Sequence, residues 1–214
     1  VTLEAQEMAF PARKLEFMRT QLNSSLYGGS CSWIDGHTLF QEGFFFCTVM
    51  NVGDVPGPGC IYVETVVDGD SGFSFAKVYS AKNSVNSVDI LASRVLPFYD
   101  RQGMAIKKIH TKKASEYCGL VCVHPYETFL SSSHIQHVPI GMPRQPYSFL
   151  CRQFYRLLFN SFFPRALRKT FQPSMITLQK DLDEFVDAYN AAQIGPAIGI
   201  KHNLPAALKF SVDL

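Results

Sequence analysis

The sequence predicts an α/β fold, a five-stranded mixed sheet with helices on both faces and elements in the order βββαβαβαα. Three observations carry the prediction. Three runs rich in β-branched and aromatic residues follow one another through turn sequences too short for anything but antiparallel neighbours. Two later strand runs alternate with helical patterns and so need crossover connections. The chain then closes on two long helical segments.

The elements follow in order. GFFFCTVMNV, from Gly43, reads as the first strand, ended by the turn-forming run GDVPGPG. CIYVETVV is the second, DGDSG a turn, and FSFAKVY a third with alternating faces. Asn83 or Ser84 caps a helix that carries Val85, Val88, Leu91, Ala92, Val95 and Leu96 at helical spacing and stops near Gly103. AIKKIHT is a fourth strand, HPYETFL a short helix and IQHVPI a fifth strand. Pro146 opens a long helix through Arg168, and Ser174 caps another that runs to about Ala192. The expected organisation is an N-terminal extension over 1–42, a core domain over 43–192 and a tail over 193–214.

Composition narrows the class. The 214 residues are 47% apolar and 18% charged, which excludes a disordered polyelectrolyte or a charged helical rod. No apolar run reaches the roughly 18 residues of a membrane span. The opening VTLEAQEMAFPARK lacks the basic-then-apolar order of a secretory signal. Six cysteines at spacings unlike a disulfide framework suggest a reduced, intracellular chain, nuclear if its source is eukaryotic or viral. Cys118, Cys122 and His124 offer a zinc set that lacks a second ligand pair. No cofactor is expected.

Several segments together resemble one family, the retroviral-integrase-like catalytic core of bacterial insertion-sequence transposases, with a ribonuclease-H-like fold. YVETVVDGDSGFSFAKVYSAKNSVNSVDIL resembles the family's strand–turn–strand–helix block, and RVLPFYDRQGMAIKKIHTKKASEYCG is similar to the stretch leading into T-D-N-G-x-E-F-C-G. HPYETFL, FYRLLFNSFFPRALRK and LQKDLDEFVDAYN resemble its later helices in order, so the likeness covers about 43–192. The family's chemistry needs three carboxylates that hold two divalent metals for phosphoryl transfer. In the register of the resemblance, those positions fall on Thr48, Lys112 and Arg152, or on Leu150 in place of Arg152 if the last motif shifts by two. An ammonium or a guanidinium offers only donors and repels Mg²⁺. The resemblance therefore implies a pseudoenzyme. Replacement ligands would have to come from Asp35, Asp68, Asp70 or Glu116, of which the Asp68–Asp70 pair reads as turn formers.

Charge is distributed unevenly behind a net value of +2. No acid occurs from Thr128 to Lys180, a span holding Arg144, Arg152, Arg156, Arg165, Arg168 and Lys169, and Lys107, Lys112 and Lys113 stand in a second acid-free stretch. These nine residues form a candidate nucleic-acid groove, with a solvated basic face as the plainer alternative. His110, His134 and His137 lack a paired nucleophile and read as strand-end residues. The helix over 148–169 carries Phe149, Phe154, Phe159, Phe162 and Phe163 among other apolar residues, which suggests either deep burial or a surface for self-association or a protein partner. Three functions stay open. They are an inactive integrase-derived binding or assembly module, a divergent metal-dependent nuclease or strand-transferase, and a purely structural subunit.

Overall fold

The computed structural model describes residues 37–52, 55–141, 149–169 and 174–197. A long hairpin, β1 (His37–Val52) and β2 (Val55–Asp68), forms its spine, and β3 (Ser74–Tyr79) adds to β2. Both pairings are antiparallel, with Leu39 opposite Asp68 and Val67 opposite Ser74. Strand β4 (Ile106–Lys112) runs parallel to β1, and β5 (Gln136–Ile140) parallel to β4, giving the order β3-β2-β1-β4-β5. The predicted five-stranded mixed sheet is the sheet observed.

Helix α1 (Ser84–Ile90), a π-helical turn (Leu91–Val95) and α2 (Leu96–Gln102) form one continuous rod. Asn83 caps it, its side chain accepting from the Asn86 amide at 2.9 Å. Gly103 closes it at φ 64°, a left-handed value that costs a residue with a Cβ. Then come α3 (Pro125–Ser132), α4 (Phe149–Leu157), a second π-helical turn (Leu158–Phe162), α5 (Phe163–Lys169) and α6 (Met175–Ala197). Ser174 caps α6 through its hydroxyl, which accepts from the Thr177 amide at 3.2 Å.

Side chains alternate across the pleat and divide the core in two. Phe40, Val63, Val67, Ala76 and Val78 point to one face and pack with Phe154, Leu158, Phe162, Leu182, Phe185 and Tyr189 from α4–α6. Leu39, Val66, Phe73, Phe75 and Ile109 point to the other and pack with Ile90, Leu91, Val95, Phe98 and Tyr99 from the α1–α2 rod and with Tyr126 and Leu130 from α3. A sheet covered on both sides explains why IYVETVV carries apolar residues on both pleat faces, with Glu64 and Thr65 the exceptions.

Two expectations change. The first strand begins at His37, inside the segment assigned to the N-terminal extension, and α6 runs to Ala197, past the assigned end of the core. The α4–α5 rod is amphipathic rather than apolar all round. Cys151, Phe154, Tyr155, Leu158, Phe162, Phe163 and Ala166 are buried, while Arg152, Gln153, Arg156, Asn160 and Arg165 are exposed. Phe154, Phe162 and Phe163 are buried against the sheet, while Phe159 is 41% exposed. Among the described residues, no helix is long and apolar enough to cross a membrane.

Candidate functional site

Parallel pairing brings the carboxyl ends of β1 and β4 together, and ligands of open α/β sheets gather at such ends. The last β1–β4 pair is Gln41 opposite Thr111, so Lys112 follows beside Glu42. The Lys112 ammonium lies 3.4 Å from Glu42 Oε1 and donates to the Gly43 carbonyl at 3.3 Å. Lys82, just before the helical rod, sits in the same corner and forms an ion pair with Glu116 Oε1 at 2.7 Å.

The two lysines titrate against each other. Burial and the adjacent Lys82 ammonium push the Lys112 pKa below the ordinary lysine value, against the pull of Glu42. Burial also lowers Lys82, but Glu116 outweighs it and the net direction is upward.

Beneath this corner lies a buried polar network. Glu64 is 4% exposed, and its Oε1 accepts from the Tyr117 hydroxyl at 2.6 Å and from Gln41 Nε2 at 2.9 Å. Gln41 also donates to the Ser87 carbonyl at 2.8 Å, and its own Oε1 accepts from the Tyr126 hydroxyl at 2.8 Å. Burial raises the Glu64 pKa despite these donors. Gly43 is required above it, because a Cβ there would collide with Glu64 Oε2.

The structure separates the three positions the resemblance aligned. Lys112 is in the corner. Thr48 is not. It is exposed, pairs with Cys60, and stands seven residues beyond Gln41 along β1, about 23 Å at strand rise. The acid beside Lys112 is Glu42, which the assignment of 1–42 to an extension had hidden. Arg152 is exposed on α4, which packs on β2, two places from β4 in the sheet. Leu150, the alternative, is on the same helix.

The proposed basic groove is also divided. Arg152 and Arg156 are exposed one turn apart, with Arg165 exposed further along the rod. Lys107 and Lys113 are exposed on β4 and just after it. Arg168 and Lys169 lie within α5, and Arg144 lies outside the described residues. The acidic α6 does not neutralise this face through Asp183, which is held by Arg94 at 2.6 Å instead.

The remaining candidates find structural places. Asp68 is fully buried at the opposite end of the β1–β4 pairing. Its Oδ2 receives His37 Nδ1 at 2.7 Å, the Ser71 hydroxyl at 2.7 Å and the Tyr99 hydroxyl at 3.0 Å, while its Oδ1 accepts the Asp70 amide at 2.9 Å. His37, Asp68 and Asp70 bring ligand atoms within 4.8 Å of one another. Ile106 pairs with His37 and Lys112 ends β4, so this trio lies about 20 Å from the lysine corner. Asp35 lies outside the described residues. His110 stacks on Phe40 at 4.8 Å, and His134 is an exposed turn residue at φ 57°. Cys122 is exposed and His124 is bonded to the Ser115 carbonyl at 2.9 Å. Cys118 instead neighbours Glu127 and His137.

No protein-family model matches the chain, and no curated protein matches it significantly. Solved structures similar to it include the catalytic core domain of BIV integrase, at 14% identity and a TM-score of 0.49, covering 72% of this chain and 82% of that one. The HTLV-2 integrase catalytic core domain in complex with magnesium is similar at 16% identity and a TM-score of 0.43, covering 69% and 84%. A chain of the simian T-cell lymphotropic virus intasome in complex with PP2A regulatory subunit B56 gamma is similar at 16% identity and a TM-score of 0.47, covering 80% and 67%. The fold is integrase-like on its own topology, a three-stranded antiparallel meander extended by two parallel strands through helical crossovers.

Proposed function

We propose that the chain is an integrase-type core that no longer carries out metal-dependent phosphoryl transfer and works as a binding or assembly module. One observation carries the reading, the Lys112 ammonium at the carboxyl end of β4, paired with Glu42 and set against Lys82. The resemblance puts a metal-holding aspartate at position 112. A lysine there supplies no lone pair and adds positive charge. With Lys82 on Glu116 and Lys112 on Glu42, each of the corner's two cations is matched by one of these two largely enclosed acids. Little negative field is left to draw a divalent ion from water.

Two surfaces suit a binding role. Arg152, Arg156 and Arg165 present an exposed cationic rod face, with Lys107 and Lys113 exposed elsewhere, a pattern that engages a phosphate backbone without reading its bases. Leu120, Val121 and Val123 are 72%, 57% and 71% exposed in one loop, an apolar tip suited to a protein contact.

The test is a paired assay on labelled duplex DNA. The expected outcome is no cleavage with Mg²⁺ or Mn²⁺, together with binding at low salt that weakens steeply as salt rises. Arg152→Glu and Arg156→Glu should each weaken binding and reduce the salt slope by about 1. Cleavage that a chelator stops and Glu42→Gln abolishes would overturn the inactive reading in favour of a nuclease built on Glu42, Glu64 and Glu116. A stable oligomer with no DNA affinity at low salt would remove nucleic acid from the proposal.

A further inference from the structure

Next to the lysine corner, on its β5 side, Cys118, Glu127 and His137 converge from the turn region after β4, from α3 and from β5. One ligand atom from each lies within 4.8 Å of the others. Tetrahedral zinc with sulfur, nitrogen and oxygen donors needs separations of roughly 3.3–3.8 Å, so small side-chain rotations close the set.

His137 supplies an independent observation. Its side chain is 7% exposed, and its buried Nδ1 faces Glu127 Oε2 at an ion-pair distance of 2.9 Å. Its other nitrogen, Nε2, lies 2.8 Å from the Thr111 hydroxyl, which itself donates to the Lys112 carbonyl at 3.1 Å. In the tautomer whose Nε2–H donates to Thr111 Oγ, Nδ1 offers the lone pair a metal ion needs. That nitrogen and the carboxylate oxygen it faces are both ligand types for a divalent transition ion. A histidine whose second nitrogen donates to an orienting oxygen is how proteins hold metal-ligating imidazole.

We propose that Cys118 Sγ, a Glu127 carboxylate oxygen and His137 Nδ1 form a binding site for a divalent transition ion of the zinc type, with Thr111 orienting the imidazole. The mixed S, N, O donor set selects zinc or cobalt over magnesium or calcium, which prefer oxygen. Three protein ligands leave a fourth position to water. The thiol loses its proton on binding, so each ion bound releases one H⁺ to solvent. A bound ion would pin the loop bearing Leu120, Val121 and Val123 to α3 and β5.

Titration of the full chain with Co²⁺ tests this. One equivalent should produce a thiolate-to-cobalt charge-transfer band in the near ultraviolet, displaced by Zn²⁺ and removed by chelator, and Zn²⁺ should raise the melting temperature. Cys118→Ser should abolish the band and Cys122→Ser should leave it intact. Thr111→Val should weaken Zn²⁺ binding by about 10–100-fold. Should Cys118→Ser fail to fold, Glu127→Gln, which keeps the side-chain volume, must weaken Zn²⁺ binding as well. Absence of a one-equivalent band, its loss in Cys122→Ser, or parental Zn²⁺ affinity in Glu127→Gln would overturn the site.

Discussion

Glu64 lies in the middle of an apolar strand and is almost fully enclosed, where an ionised carboxylate costs several kcal/mol unless its lone pairs are filled. Tyr117 and Gln41 fill one oxygen, yet burial still lifts the pKa. A group whose folded pKa is raised contributes stability below its unfolded value and loses that contribution as pH rises through the folded value. Glu64→Gln keeps an acceptor for Tyr117 and removes the charge. It is expected to raise the melting temperature at pH 8 and to gain little at pH 4, measured by calorimetry across that range. An equal effect at both values would mean that Glu64 is not held against ionisation. His37 and Asp68 have the opposite arrangement, an ion pair in a buried cage. Burial lowers His37, but the Asp68 hydrogen bond and charge raise it above 6.5 overall. Burial raises Asp68, but His37 and its other donors bring it below 3.8. His37's contribution is lost as pH rises through its raised value, and Asp68's as pH falls through its lowered one. The stability difference between the parent and His37→Asn is therefore expected to be largest from about pH 4 to 6.5 and to shrink on both sides, read from denaturant midpoints.

At the scale of elements, α4 and the π-helical turn after it decide whether one face of the sheet is covered. Phe154 is fully buried and touches Tyr189 at 4.9 Å in edge-to-face geometry. Phe154→Ala is expected to cost about 3–5 kcal/mol in unfolding free energy, because the rigid sheet beneath cannot collapse into the void. A loss under 1 kcal/mol would mean that α4 is not docked as described. The rod's composition alone suggested an all-round apolar helix. Arg152, Gln153 and Arg156 fall on one side because 3.6 residues per turn gather them there, and the structure leaves that side to solvent. β1 misled for a related reason. Its outer half, GFFFCTV, is the most apolar run in the region, but it pairs with β2 alone, beyond the end of β4. The less apolar half, HTLFQ, forms the parallel pairing that builds the corner.

For the whole molecule, the two-faced sheet concentrates buried polar groups at both ends of the β1–β4 pairing. One end is the His37–Asp68 cage, the other the lysine corner over Glu64. The first is saturated by its own donors and reads as a tie between hairpin and rod. The second meets the open end of the parallel strands and holds the Lys82 and Lys112 ammonium groups against Glu116 and Glu42. The cationic rod face lies on α4, which packs on β2, two strands away from β4. Periodicity and turn chemistry were enough by themselves to determine the element order, the Ser174 cap, the Gly103 stop and the mixed sheet, because those signals are local and repeat every two or 3.6 residues, and they narrowed the first cap to Asn83 or Ser84. Nothing in the sequence reading singled out Glu64 within IYVETVV, because its partners come from distant segments. Only the tertiary structure decided that Glu42 rather than Thr48 stands beside Lys112, that Cys118 meets Glu127 and His137 rather than Cys122 and His124, and that Phe154, Phe162 and Phe163 face inward while Phe45 and Phe159 do not. The physical reason is register. Strand pairing and crossover geometry join residues far apart in the chain, and sliding β1 by a few residues changes which side chains meet while leaving its local pattern readable as a strand.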